Sequence, residues 1–142
     1  MTTLPATPHR SMDQWAVAVM ASVLAVGNML LGVLILGTDW GQRLSGPSFT
    51  AITDIAPGWA WGAAWLAAGV LSLYGQVQDR LWPARVGHSA AAFIALFWTV
   101  AFIYGALKIP TVAPTGIAAY LTIAALHLVA SVAVHRGGVV RR

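Results

Sequence analysis

Six polar residues lie within long apolar runs of the sequence, where they are best suited to chemistry or to contacts between helices. They are Asn28, His88, Thr99, Tyr120, His127 and Ser131. Because polar groups in a membrane usually face a partner or a wet cavity, they can form a mildly hydrophilic seam that lines a pore or relays protons through His127. The alternative is a set of hydrogen bonds between helices, each contributing about 1 kcal/mol. The second interpretation is favoured, because no carboxylate or arginine accompanies the histidines inside these runs.

The sequence carries none of the common catalytic motifs. It has no glycine-rich phosphate loop, no nucleophile elbow and no His-Glu-x-x-His zinc site. It also contains no cysteine, which excludes disulfides and thiolate chemistry. We therefore expect neither an enzyme nor a cofactor.

The composition indicates a membrane protein. Hydrophobic residues make up 58% of the 142 residues and charged residues only 8%, whereas a soluble domain has roughly 25% charged residues. The mean hydropathy is +0.75. The net charge is +4, but the basic residues are sparse and flank apolar runs, which fits orientation in a lipid bilayer better than binding to nucleic acid.

Four uncharged segments have the length needed to cross a hydrocarbon core of roughly 30 Å as helices. Their approximate bounds are 14–37, 57–76, 86–107 and 114–135. Since open strands are too costly in lipid, the sequence predicts an all-α integral membrane protein, a single-domain bundle of four transmembrane helices with flexible tails at 1–12 and 136–142. The first segment is longer than the apolar core of a signal peptide and no Ala-x-Ala-like site follows it, so we expect an uncleaved anchor.

The basic residues predict the orientation of the bundle. One side of the membrane would carry Arg10, Arg80, Arg85, Arg136, Arg141 and Arg142. The other side would carry only Arg43 and Lys108. By the positive-inside rule, both termini are expected in the cytoplasm of a bacterial host, with the protein in the cytoplasmic membrane.

Residue counts from the cytoplasmic helix ends give the expected depths of the polar residues. At 1.5 Å per residue, Asn28 and Thr99 both lie roughly 20 Å deep, so we expect that these two can meet. The same count places His127 about 12 Å deep and His88 near the surface. No paired histidine spacing supports a haem or metal site.

The second segment has the most distinctive pattern of large and small residues. Its bulky face consists of Trp59, Leu66, Val70 and Leu73. Its small residues divide between a glycine side and an alanine side, with Gly58, Gly62 and Gly69 on one and Ala60, Ala64 and Ala67 on the other. Small faces let helices approach closely in lipid, so this helix is expected to contact two neighbours.

Aromatic residues are expected to mark the two membrane interfaces, because amphipathic rings prefer the headgroup level. The outer belt would consist of Trp40, Trp59, Trp61 and Tyr104. The inner belt would consist of Trp15, Tyr74 and Trp82. The first loop, residues 38–57, is long enough to hold a short interfacial turn of helix.

Four stretches carry a resemblance to known proteins: WAWGAAWLAAGVLSLYG, the Arg-bearing turn DRLWPARVGH, FWTVAFIYGALK in the third helix and AALHLVA in the last. In these the chain resembles small membrane proteins encoded by phages of high-GC actinobacteria, including the holin-like proteins of lysis modules. The resemblance implies accumulation in the host membrane, oligomerisation and timed lesions that release or activate an endolysin. It assigns a role to no individual residue.

Two other functions remain open at this point. One is a non-catalytic structural or regulatory partner, such as a superinfection-exclusion protein or an accessory subunit of a membrane complex. The other is a small transporter or channel, which is less favoured because such proteins more often bury a carboxylate or break a helix at the midplane.

Overall fold

The computed structural model describes residues 12–37, 47–108 and 115–139, and within these ranges the protein is all-α, as the sequence predicts. The helices are α1 Met12–Gly37, α2 Pro47–Thr53, α3 Gly58–Val77, α4 Leu81–Lys108 and α5 Thr115–Val139. The largest difference from the expected bounds is at α4, which begins at Leu81 rather than near residue 86. Residues 1–11 and 140–142 of the expected tails, and Trp40 of the expected outer belt, lie outside the described residues.

A tight turn between α3 and α4 explains the early start of α4. The Arg80 N–H donates to the Gly75 carbonyl oxygen at 2.7 Å, and Asp79 adopts a φ of 50°. This is the Schellman arrangement that commonly ends a helix, with aspartate in the left-handed position that it tolerates better than most residues. Since Pro83 falls in the first turn of α4, its missing N–H costs no intrahelical hydrogen bond.

The short helix α2 closes one end of the bundle. Its Ile52 side chain is fully buried, and Phe49 packs edge-on against Trp98 with ring centroids 6.0 Å apart. The Trp61 Nε1–H of α3 donates to the carbonyl oxygens of Ile52 and Ala56, both at 3.1 Å. The expected turn of helix in the first loop is therefore present, and it is held against both α3 and α4.

Three helices are long and apolar enough to cross a membrane. They are α1, α4 and the part of α5 from Thr115 to Val134. Among the described helices of that length, α3 falls short in hydropathy, not in length. Its three tryptophans (Trp59, Trp61 and Trp65), its glycines and Gln76 keep its mean hydropathy below that of a candidate membrane span.

The long helices pack in chain order, α1 against α3, α3 against α4 and α4 against α5, with a smaller contact between α5 and α1. We call the end that holds the α3–α4 turn the turn end, and the opposite end the α2 end. Glycines bring α1 and α3 together: a Cβ added at Gly32 would lie 2.7 Å from the Gly62 carbonyl oxygen, and one at Gly69 would lie 2.7 Å from the Ala25 carbonyl oxygen. The two backbones are therefore in direct contact.

The small residues of α3 do not all face neighbouring helices. The three residues of the glycine side (Gly58, Gly62 and Gly69) are buried, whereas on the alanine side Ala60 and Ala64 are half-buried and Ala67 is exposed. Of the bulky face, Trp59 and Val70 are exposed and Leu66 and Leu73 are half-buried. A second buried face, which the sequence pattern did not single out, consists of Trp65, Ala68, Ser72 and Gly75. Part of it packs on α4, where a Cβ at Gly87 would contact Ser72 and one at Gly75 would contact Ala84.

Gly32 and Gly27, five positions apart on α1, provide a matched test of this contact. Nothing lies within 4 Å of a Cβ added at Gly27, whereas one at Gly32 would lie 2.6 Å from the Leu66 nitrogen. We expect Gly32→Ala to lower the free energy of unfolding by about 1–3 kcal/mol, because α1 and α3 must separate. Gly27→Ala should be neutral or stabilising by up to about 1 kcal/mol, through helix propensity.

The measurement is SDS-induced unfolding in detergent micelles, followed by tryptophan fluorescence. Equal stability of the two variants would show that α1 and α3 do not approach each other at Gly32.

Candidate functional site

Two histidines meet inside the bundle, His88 from α4 and His127 from α5. Both are fully buried, at 0% exposure. Their Nδ1 atoms lie 3.0 Å apart, and the ring centroids are 5.2 Å apart at an interplanar angle of 38°. A hydrogen bond between two imidazole nitrogens needs one donor and one acceptor, so one ring carries its proton on Nδ1 and the other accepts at Nδ1.

Gln76 of α3 connects this pair to the other helices. Its Nε2 lies 3.3 Å from the His88 Nε2 and donates to the Ser72 carbonyl oxygen at 3.2 Å. Its Oε1 accepts a hydrogen bond from the Ser22 hydroxyl of α1 at 2.9 Å. Side chains of all four long helices are thus joined in one hydrogen-bonded network, which we call the histidine network: Ser22, Gln76, His88 and His127.

The orientation of the Gln76 amide assigns the protons of the histidine network. Because the Gln76 Nε2 donates, the His88 Nε2 accepts, and His88 must carry its proton on Nδ1. That proton is donated to the His127 Nδ1, which places the remaining proton of a neutral His127 on Nε2. The His127 Nε2 is buried and has no hydrogen-bond partner among the described residues.

Close packing of α3 and α4 near the turn end makes the histidine network possible. Gly87 and Gly75 allow the two backbones to approach, so that the Gln76 side chain reaches His88 directly. The Ser72 hydroxyl is satisfied within its own helix, donating to the Ala68 carbonyl oxygen at 2.8 Å. His88 lies seven residues into α4, or about 10 Å from its start.

A second polar contact joins α4 and α5 beside the histidines. The Ser89 and Ser131 hydroxyl oxygens lie 3.0 Å apart, with Ser131 itself buried. All the polar side-chain contacts between long helices described above lie in the half of the bundle at the turn end.

Three other residues of the expected seam lie apart from the histidine network. Asn28 and Thr99 are buried but not paired: the Thr99 hydroxyl donates to the Ala95 carbonyl oxygen at 2.9 Å, and the Asn28 Nδ2 has no hydrogen-bond partner in the part of the chain that the structure describes. The Thr99 hydroxyl proton and the Asn28 amide N–H are therefore not used in a hydrogen bond between these two residues. Tyr120 stacks on Phe102, with centroids 5.4 Å apart, in an aromatic cluster at the α2 end.

That aromatic cluster fills the other half of the interior. Trp65 and Trp98 are almost completely buried, with centroids 6.1 Å apart in edge-to-face contact. Trp61, expected in the outer belt, is half-buried and stacks on Phe97 at 5.1 Å. Five other aromatics expected at the interfaces are exposed: Trp15, Trp59, Tyr74, Trp82 and Tyr104.

Sequence reasoning identified both histidines but not their contact, and it missed Gln76 and Ser22. The error came from the start of α4. Counting from residue 86 placed His88 at the membrane surface, whereas a helix that begins at Leu81 places it about 7 Å deeper, closer to the depth expected for His127. The signal for an earlier start was present, since Pro83 is compatible with a first helical turn.

The interior offers neutral polar groups rather than charges. The charged side chains whose burial the structure describes are all exposed: Asp13, Asp54, Asp79, Arg80, Arg85 and Lys108. Those ranges contain no group of three or more His, Cys, Asp or Glu residues arranged to hold a metal ion. Comparisons of the chain with protein-family models, with curated proteins and with solved structures find no match.

Proposed function

We propose that all four long helices cross the cytoplasmic membrane of a bacterial host, with both termini in the cytoplasm. Crossing by α3 is supported by its 20 residues, which span about 30 Å, and by its contacts with α1 and α4 over its length. If α3 did not cross, the backbone contacts that α1 and α3 make at Gly32 and Gly69 would be lost. The polar groups that bond to Gln76 would then face lipid. The excess of arginine that the sequence places on the side of the α3–α4 turn supports the orientation.

Single cysteines provide a direct test of α3, because the chain has none of its own. Gln78 directly follows α3 and is exposed, and Ser45 comes two residues before the start of α2 in the sequence. We expect Ser45→Cys to react with an impermeant maleimide added outside intact cells, and Gln78→Cys to react only after the membrane is opened.

Labelling of both cysteines from the same side would show that α3 does not cross. Labelling of Gln78→Cys alone from outside would show that the protein has the opposite orientation, with both termini outside the cytoplasm.

We further propose that the protein is holin-like: it accumulates as closed bundles, which then associate and open to permeabilise the membrane during phage lysis. It needs no catalysis and no cofactor for this. The single observation that supports opening is a set of buried polar atoms that the closed bundle leaves without a hydrogen bond among the described residues: Asn28 Nδ2, Trp65 Nε1, Trp98 Nε1 and His127 Nε2.

Each such atom costs the closed state about 1–3 kcal/mol relative to a satisfied one. Lipid cannot supply the missing hydrogen bonds, because its hydrocarbon core has no hydrogen-bond acceptors. Water in a lesion, or polar groups of another copy, would satisfy them. A single bundle is therefore benign while it stays closed, and association of several copies supplies the partners that favour opening.

Asn28 and Thr122 provide matched variants for a lysis assay. Thr122 is exposed, and its hydroxyl donates to the Ala118 carbonyl oxygen of its own helix at 2.8 Å. With inducible expression in a bacterial host, we expect an abrupt loss of membrane potential after a delay. Asn28→Leu should lengthen the delay, because it removes an unsatisfied amide from the closed bundle, and Thr122→Val should leave it unchanged.

Retained membrane potential at verified membrane expression, together with failure to complement a holin-deficient phage, would contradict the lytic proposal. The accessory or superinfection-exclusion function would then take its place.

A further inference from the structure

The hydrogen bond between His88 and His127 needs an acceptor nitrogen on His127. A neutral imidazole has one N–H donor and one acceptor nitrogen, whereas a protonated imidazole has two donors and no acceptor. The His88 Nδ1–H donates to the His127 Nδ1 across 3.0 Å. A proton on the His127 Nδ1 would place two N–H groups opposite each other at that distance, so the two rings would have to separate.

The other acceptor nitrogen of the two rings, the His88 Nε2, is already in use. It lies 3.3 Å from the Gln76 Nε2, which also donates to the Ser72 carbonyl oxygen at 3.2 Å. A proton on the His88 Nε2 would face the amide hydrogens of Gln76. The amide would then have to rotate, and its bond to the Ser72 carbonyl oxygen would be lost. Neither ring can therefore take up a proton without the loss of a hydrogen bond.

The neighbouring helices offer the two rings neutral groups. Both rings are at 0% exposure. The Gln76 amide of α3 faces His88, and the Ser22 hydroxyl of α1 lies behind it. Tyr120, also within the bundle, belongs to the aromatic cluster at the α2 end.

The described charged side chains of α1, the α3–α4 turn and the start of α4 are exposed rather than buried with the rings: Asp13, Asp79, Arg80 and Arg85. On α5, His135 and Arg136 follow His127 by eight and nine residues, a rise of at least about 12 Å along the helix. A positive charge on either ring would thus lie in an apolar interior in which the described side chains supply no counter-ion, and such a charge is costly.

We propose that the two histidines form a proton-sensitive latch, which stabilises the closed bundle while both rings are neutral. Protons favour states in which α4 and α5 separate and the rings reach water, where imidazole takes up a proton below about pH 6.5. Because those states bind more protons than the closed bundle, the stability that the latch provides is present above this pH and is lost as the pH falls. The latch does not rest on the lytic function, since it is complete within a single chain.

The test is SDS-induced unfolding of the purified full-length protein in detergent micelles at pH 8, 6 and 5, followed by tryptophan fluorescence. We expect the equilibrium ratio of folded to unfolded protein to fall about 50–100-fold between pH 6 and pH 5, because the unfolded chain binds nearly two more protons. His127→Gln leaves one buried imidazole, so its ratio should fall only about 8–10-fold over the same interval.

The two remaining histidines of the chain, His9 and His135, provide the control. The chain has no cysteine, so its four histidines are the only side chains that ordinarily titrate between pH 5 and pH 8. The double variant His9→Ala/His135→Ala should keep the full pH dependence of the wild-type protein. Because His127→Gln can also fail to fold, the wild-type protein and this control decide independently.

Three results would each overturn the latch. One is equal stability of the wild-type protein at pH 6 and pH 5, and another is a pH dependence that disappears in His9→Ala/His135→Ala. The third is a folded His127→Gln variant that keeps the full wild-type pH dependence.

Discussion

The bilayer interior supplies no water, so a polar group there must find its partner within the protein or remain unsatisfied. The interior of this bundle meets that constraint in two ways. The hydroxyls of Ser72 and Thr99 donate to carbonyl oxygens of their own helices, so they need no partner on another helix. The Nδ1 atoms of His88 and His127 instead form a hydrogen bond with each other between α4 and α5.

The two halves of the bundle are stabilised differently as a result. At the α2 end, rings interlock around Trp98, which contacts Phe49, Trp61, Trp65 and Tyr120. At the turn end α3 and α4 approach closely through Gly75 and Gly87, and polar side chains join the helices. Aromatic packing is tolerant of small shifts, whereas the histidine network requires fixed distances.

Much of the fold could be predicted from the sequence, because long apolar segments without charged residues form helices in a membrane. The all-α class follows from these alone, and the glycines of α3 are buried where close approach was expected. The depth of His88 could not be predicted from an assumed helix start. Trp65 and Trp98 illustrate a second limit: composition places tryptophan at interfaces on average, but only the packing of α3 on α4 shows that these two rings fill the core.

The central claim is that a hydrogen bond joins the two imidazoles in the sealed interior. Nuclear magnetic resonance of the protein in lipid nanodiscs, with ¹⁵N-labelled histidine and with His9 and His135 replaced by alanine, tests it directly. The account predicts a scalar coupling between a protonated Nδ1 on His88 and an unprotonated Nδ1 on His127, with both rings protected from exchange with water. Two uncoupled imidazoles in fast exchange with solvent would contradict it.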